Sequence, residues 1–285
     1  MKIGLTFFPI SPKFLFPVAR LADEIGYESI WVGEHVVIPV ETDCRHPYAP
    51  ELGAPLPATP LYDPLITYGY IAAQTQRLKL GTSIYLLALR HPIMAARLAA
   101  TLDLISGGRL ILGVGVGWLQ EEFTDQDVPW ERRGPRMEEA IAVMRRLWSE
   151  EQVAHAGEFY NFPAVGFAPK PTGGAVPVHI GGEAPAAMRR AARVGDGWIG
   201  FTHTPESAAV PIRKLREMRE SDRPLEISVT SETVPTLDEV RRFRDAGVDR
   251  LTFIARLLSG GGRTVEAMTD GVKRFGEEVI ARLGE

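Results

Sequence analysis

The chain has 285 residues, 45% hydrophobic and 24% charged, with a formal net charge of -4. That is enough apolar sequence for one sizeable core, and parallel α/β barrels reach this length as one domain, so a single domain over residues 1–285 is expected. The slight acidic excess argues against a nucleic-acid or anionic-lipid surface.

Charge, Pro or Gly interrupts every apolar block within about 18 residues, which argues against a membrane span. Pro9 and Pro12 break the first apolar run and no small-residue cleavage site follows, so this run reads as a strand rather than a leader. Cys44, the single cysteine, has no intrachain disulfide partner, and a reducing cytoplasm fits it.

In chain order, the first strand is expected over residues 3–8, then a helix over 13–25 with Phe14, Val18, Leu21, Ala22 and Ile25 at helical spacing, and a second strand over 29–32. A helix over 63–74, a strand over 78–87, a helix over 93–105 and a strand over 110–116 continue the alternation. The next helix, 136–148, carries Met137, Ile141, Met144 and Leu147 or Trp148 on one stripe. Further strands are expected near 176–180, 197–201, 225–229 and 250–254, with helices starting near Pro185, Pro205 and Leu237 and a last helix over 264–283. Thr236 with Glu239 forms a capping-box pattern and Gly247 ends that helix.

Eight alternations admit a closed (β/α)8 barrel or a large doubly wound sheet, and the count favours the barrel. Gly113-Val114-Gly115-Val116-Gly117 lacks dinucleotide-fingerprint spacing. Its glycines read instead as places where a ligand approaches the backbone. The rhythm is broken after the second strand, by a Pro-rich loop over 36–61, and after the fourth. A further irregular segment over 153–174, with Phe159, Tyr160 and Phe162, precedes the fifth strand and reads as a small hairpin. These insertions either roof a pocket or decorate the surface.

The chemistry-bearing residues fall at strand ends. Gly181 and Gly182 follow an apolar strand and precede a helix, so free N–H groups and the helix dipole can meet an anion there, although a tight turn needs glycine anyway. Glu34 and His35 end the second strand, as general base or cofactor-ring partner, or as a loop anchor. His91 before Pro92 reads equally as a helix cap. Trp118 either walls a pocket or packs beneath its loop. Asp196 enters the sixth strand and reads as a brace. His46, His155, His179 and His203 show no metal-ligand spacing, and no metal is expected.

Taken together, Leu80-Gly81-Thr82-Ser83-Ile84, Arg90-His91-Pro92, Gly117-Trp118-Leu119-Gln120-Glu121-Glu122-Phe123, Arg133-Gly134-Pro135-Arg136-Met137-Glu138-Glu139 and Gly195-Asp196-Gly197-Trp198 resemble the luciferase-like monooxygenase superfamily. The similarity is greatest to its branch of deazaflavin oxidoreductases using coenzyme F420, and it extends over nearly the whole chain. The resemblance implies a luciferase-like TIM barrel holding the cofactor at the C-terminal ends of its strands, with Phe7, Gly33, Glu34, Ser83, Ile84, Gly115 and Gly117 around the ring. It places the phosphate near Gly181 and Gly182, a bulge with a non-proline cis peptide at Ser83-Ile84, and Trp118 and Leu86 in the substrate pocket. It also implies a homodimer.

In the sugar-phosphate dehydrogenases of that branch, an acidic residue and a histidine touch the ring. Glu34 and His35 match them, which marks these two as the catalytic pair. The glutamate those enzymes carry after the fourth-strand glycines is Trp118 here, which argues against a sugar-phosphate substrate and for a less polar carbonyl, enone or alcohol. A deazaflavin carries hydride, so the protein supplies position, proton handling and partial exclusion of water. The rival readings are an FMN-dependent monooxygenase, a noncatalytic flavin-binding protein, and a lyase or isomerase on the same barrel.

Overall fold

A computed structural model of the chain describes residues 1–9, 11–51 and 53–284. Its strands are β1 (Lys2–Phe7), β2 (Ser29–Val32), β3 (Lys79–Thr82), β4 (Leu110–Val114), β5 (Gln152–Ala156), β6 (Asn161–Gly166), β7 (Val178–Gly181), β8 (Gly197–His203), β9 (Glu226–Ser231) and β10 (Arg250–Ile254). β5 and β6 form the expected antiparallel hairpin. The others close into a parallel barrel in the order β1-β10-β9-β8-β7-β4-β3-β2. Because all barrel strands run the same way, their C-terminal ends share one rim, where loops can converge.

The helices are α1 (Pro12–Ile25), α2 (Pro64–Ala72), α3 (Pro92–Ser106), α4 (Glu121–Thr124), α5 (Arg133–Ser149), α6 (Pro185–Val194), α7 (Pro205–Met218), α8 (Leu237–Asp245) and α9 (Val265–Glu278). Local chemistry sets their ends. His91 accepts from the Ile93 N–H at 3.3 Å, so the capping reading holds for it. The Thr236–Glu239 capping box forms. Asp196 braces β7 against β8 by accepting from the Val178 N–H at 3.0 Å and from Arg145 at 2.9 Å.

Three boundaries differ from expectation. β3 stops at Thr82; the Ser83-Ile84 peptide that follows is cis, and a short 3-10 turn, Leu87–Leu89, comes next. β4 stops at Val114. The last helix ends at Glu278, with a separate 3-10 turn at Ile280–Arg282.

Alternation along the strands sorts side chains onto two faces. Ile3, Leu5, Phe7, Ile30, Leu80, Leu112, Val178, Leu251 and Phe253 belong to the buried layer shared with the helices. Trp31, Ile111 and Ile199 form a separate cluster inside the barrel. Below it, at the N-terminal rim, Arg250 is 1% exposed and bonds Glu28 at 2.7 and 2.8 Å, Glu226 at 2.8 Å and Ser228 at 3.0 Å. Lys2 also pairs with Glu226, and the Arg250 guanidinium lies 5.3 Å from the Trp31 ring. The lower barrel is therefore filled, which leaves the C-terminal rim for a ligand.

Among the described residues no helix is long and apolar enough to cross a membrane. Nor does a group of three or more His, Cys, Asp or Glu suited to a metal ion come together among them.

Two stability predictions follow from this plug. Arg250→Ala would remove a fully buried cation from two partly buried carboxylates and should cost about 3 kcal/mol in urea unfolding. Burial, with Arg250 helping and Glu226 opposing, pushes His179 down to about 4 from its ordinary 6.5. Burial raises Glu226, but Arg250 and Lys2 more than offset this and hold it at about 2, below its ordinary 4.5. Both folded values are depressed, so their stabilisation is complete above the unfolded values and is lost on acidification, from 6.5 towards 4 for His179 and from 4.5 towards 2 for Glu226. His179→Gln should flatten the pH dependence of unfolding free energy chiefly in the upper window, with a smaller change in the lower one because His179 also faces Glu226.

Candidate functional site

The floor of the C-terminal mouth is built by Ile84. A Cβ at Gly115 would lie 1.9 Å from Ile84 Cδ1, and one at Gly181 would lie 2.6 Å from Ile84 Cγ2. These two glycines thus make room for a protein side chain, not for direct approach of a ligand to their backbone. Gly113 serves the same end lower down, where a Cβ would meet the Thr82 carbonyl oxygen at 1.9 Å. Ile84 also packs on the Trp31, Ile111 and Ile199 cluster, so the bulge caps the filled barrel with an apolar shelf. Gly33 passes close to Ser83, whose carbonyl oxygen would be 2.7 Å from an added Cβ.

Glu34 holds the bulge from behind. Its carboxylate, 8% exposed, accepts from the Leu86 N–H at 2.6 Å and from both terminal nitrogens of Arg90 at 2.9 Å. With both oxygens bonded in this way, Glu34 is an anchor of the β3 exit, the loop-anchor reading, and not a free base. Arg90, which the site expectations omitted, also lies over the Tyr85 ring at 4.0 Å. His35, the next residue, turns the other way. Its Nδ1 is 2.7 Å from Glu122 Oε2, and its ring centroid lies 5.5 Å from that of Trp118 and 5.8 Å from that of Phe8.

Two expected contacts lie elsewhere. Phe7 is 2% exposed and shares the outward face of β1 with Ile3 and Leu5. The inward residue is Thr6, in register with Trp31, and its buried hydroxyl has no hydrogen-bond partner. Leu86 is 3% exposed and lies under the turn at Gly117, whose φ of 75° suits glycine. It supports the pocket wall from behind. Trp118 itself is only partly buried and faces the mouth.

The Pro-rich loop forms a roof. His46 lies between Trp118 and Phe201, with ring centroids 5.5 and 4.6 Å away. Tyr48 approaches Phe201 at 6.0 Å, and its hydroxyl accepts from the Ala184 N–H at 3.3 Å. The loop is tied down at α4, where Glu121 accepts from the Thr42 hydroxyl at 2.6 Å and Glu122 accepts from the Val36 N–H at 2.7 Å. Burial, aided by His35, lowers the His46 imidazole below its ordinary value. Nothing in local spacing marks His46, Tyr48 and Phe201 as neighbours. Only the barrel brings the second and sixth of its strands to one mouth.

Gly181 and Gly182 lead into α6, whose N-cap, Ala184, supplies no side-chain bond and whose first turn carries no acidic residue. Gly182 has φ 123°, and Glu183 turns away to accept from the Phe201 N–H at 2.8 Å and to meet His203 at 3.0 Å. A groove of about 620 Å³ lies on the flank between α1, α2 and α9, lined by Phe16, Arg20, Tyr70 and Lys273. None of the strand-end residues described above lines it.

A parallel barrel with a bulged third strand, a covered C-terminal mouth and an uncapped helix after the fifth barrel strand defines an enzyme class. The family model for luciferase-like monooxygenases matches residues 9–270, and the chain belongs to that family. It is an enzyme. An uncharacterized protein of Mycobacterium tuberculosis is 31% identical over 277 residues, covering 95% of this chain and 96% of that one. An F420-dependent glucose-6-phosphate dehydrogenase of Kineococcus radiotolerans is 33% identical over 192 residues, which is 66% of this chain and 52% of that one. The crystal structure of the monooxygenase RslO1 from Streptomyces bottropensis superposes with a TM-score of 0.77 at 23% identity, over 99% of both chains.

The shelf can be tested directly. Gly115→Ala should destabilise the fold by about 1–3 kcal/mol through overpacking. In an Ile84→Ala background the same change should cost less, with a coupling of about 1 kcal/mol or more in a double-mutant cycle read by urea unfolding. Strict additivity would remove Ile84 from the glycine trough.

Proposed function

We propose that the enzyme is an F420-dependent oxidoreductase that transfers hydride between the deazaflavin and a small, weakly polar carbonyl, enone or alcohol substrate. The observation that carries this reading is the apolar Ile84 shelf closing the barrel core at the C-terminal mouth, with the rings of Trp118, His46 and Phe201 clustered at the same end, surfaces on which a planar ring can pack. The residues present fit such a group. Thr6 offers a buried hydroxyl without a partner, and α6 offers an N-terminus without a side-chain cap.

In this reading Ile84 and Ser83 support the ring, with Gly33, Gly115 and Gly117 shaping the main chain around it. Gly182 and the first turn of α6 take the phosphate, which would claim the Ala184 N–H now given to Tyr48. When bound, the deazaflavin supplies two-electron hydride chemistry. His35 handles the accompanying proton at the mouth, while the roof excludes water. Glu34 contributes by holding the Leu86 amide and Arg90. Resemblance to an F420-dependent dehydrogenase over 192 residues supports the cofactor, and Trp118 in place of an acidic residue supports a less polar substrate.

An FMN-dependent monooxygenase is the rival, because a monooxygenase shares the fold. Parallel titrations of the purified protein with F420 and FMN decide between them. Micromolar F420 binding with much weaker FMN binding is expected; FMN binding with substrate-coupled oxygen uptake would favour the rival, and binding of neither would end the proposal.

We also read the protein as a cytoplasmic homodimer. Ile66 and Tyr70 on α2 and Met94, Leu98 and Ile105 on α3 form an exposed apolar face, which supports pairing with a second copy. Ile66→Glu combined with Ile105→Glu should shift the light-scattering mass from dimer to monomer with the circular dichroism spectrum intact.

A further inference from the structure

We infer that Glu122 is the positioning residue of His35, which it fixes as the Nδ1–H tautomer so that Nε2 is the proton acceptor at the barrel mouth. The inference rests on the oxidoreductase reading for its purpose but on geometry alone for its content. The two side chains are 87 residues apart in sequence and 2.7 Å apart in space. Glu122 is fully buried and the His35 side chain is 8% exposed.

An ionised carboxylate only accepts hydrogen bonds, so the imidazole nitrogen facing it must carry the proton. The other carboxylate oxygen, Oε1, is already committed to the Val36 N–H at 2.7 Å. One carboxylate therefore fixes both the ring of His35 and the backbone that follows it. Nε2 takes no hydrogen bond from any described residue. Trp118 meets the ring edge-on at 88° and Phe8 packs on it at 59°, so aromatic contacts hold its plane without competing for that nitrogen.

The step this arrangement serves balances as follows for an alcohol. The acceptor for the carbon-bound hydrogen and its electron pair would be a bound deazaflavin, the oxidant that the step requires. The hydroxyl proton passes to Nε2 of His35 and the carbon–oxygen double bond forms, so the substrate is oxidised. Glu122 takes no proton; it offsets the positive charge that develops on the imidazolium. In the opposite direction Nε2 returns the proton to the carbonyl oxygen.

The substitution Glu122→Gln gives a sharp test. The amide has one acceptor oxygen for two N–H donors, and only the imidazole can change which nitrogen bears its hydrogen. The oxygen should stay with the Val36 N–H and the NH2 should face Nδ1, which forces the Nε2–H tautomer.

Nitrogen-15 imidazole NMR of the cofactor-free protein at alkaline pH should show Nδ1–H for His35 in the wild type and Nε2–H in Glu122→Gln. With the first secondary alcohol or ketone that the wild type turns over, Glu122→Gln should lower kcat about 10²-fold or more while KM changes little. An Nε2–H tautomer in the wild type overturns the inference without recourse to any variant, and so does an unchanged tautomer in a folded Glu122→Gln protein. A wild type that fails to bind F420 yet shows the Nδ1–H form and the switch supports the dyad and removes only the cofactor reading.

Discussion

A barrel interior has to be filled, and the way this one is filled sets the height at which a ligand can rest. Arg250 and its carboxylate partners occupy the N-terminal end, and Trp31, Ile111 and Ile199 occupy the middle. Trp31 fits because Gly81 leaves it space; a Cβ there would lie 2.4 Å from the indole ring. Ile84 closes the stack in a trough left by Gly115 and Gly181. Close packing makes each of these a fitted pair, so the inward-facing glycines are the complement of particular large side chains. The shelf depends on Ile84 being delivered inward, and the turn at Ser83-Ile84 delivers it.

Electrostatics divides two adjacent residues between different tasks. Glu34 bonds Arg90 and the Leu86 amide, which fastens the chain just beyond the bulge. His35 pairs with Glu122 through Nδ1, and its other ring nitrogen has no hydrogen-bond partner among the described residues. Both carboxylates are buried, and each has its oxygens occupied by donors, as burial of such groups requires. The glutamate therefore fastens the chain beyond the bulge, while the histidine ring packs between Glu122, Trp118 and Phe8.

A fold of this kind hosts both F420-dependent and oxygen-using enzymes among its relatives, so chemistry has to be argued from the residues lining the mouth. Here the distinguishing features are Trp118 after the β4 glycines and a long Pro-rich loop tied at Glu121 and Glu122. Together they give the mouth an aromatic roof. Tyr48, on that loop, bonds the first amide before α6, so the loop and any phosphate held by that helix share one donor.

The sequence by itself determined the alternation of strands and helices, the Thr236 cap and the Asp196 brace, while the expectation of a bulge at Ser83-Ile84 came from the family resemblance. These are carried by local periodicity, by spacing of a few residues, or by a motif met intact. Tertiary structure alone decided that Phe7 faces outward and Thr6 inward, that Glu34 bonds Arg90 and the Leu86 amide, and that Glu122, His46, Tyr48 and Phe201 meet at the mouth. The strand pattern of Ile3, Leu5 and Phe7 carried a signal for the first of these. For the others none existed, because residues 87 or 136 positions apart become neighbours only when the barrel closes and brings its strand ends to one rim.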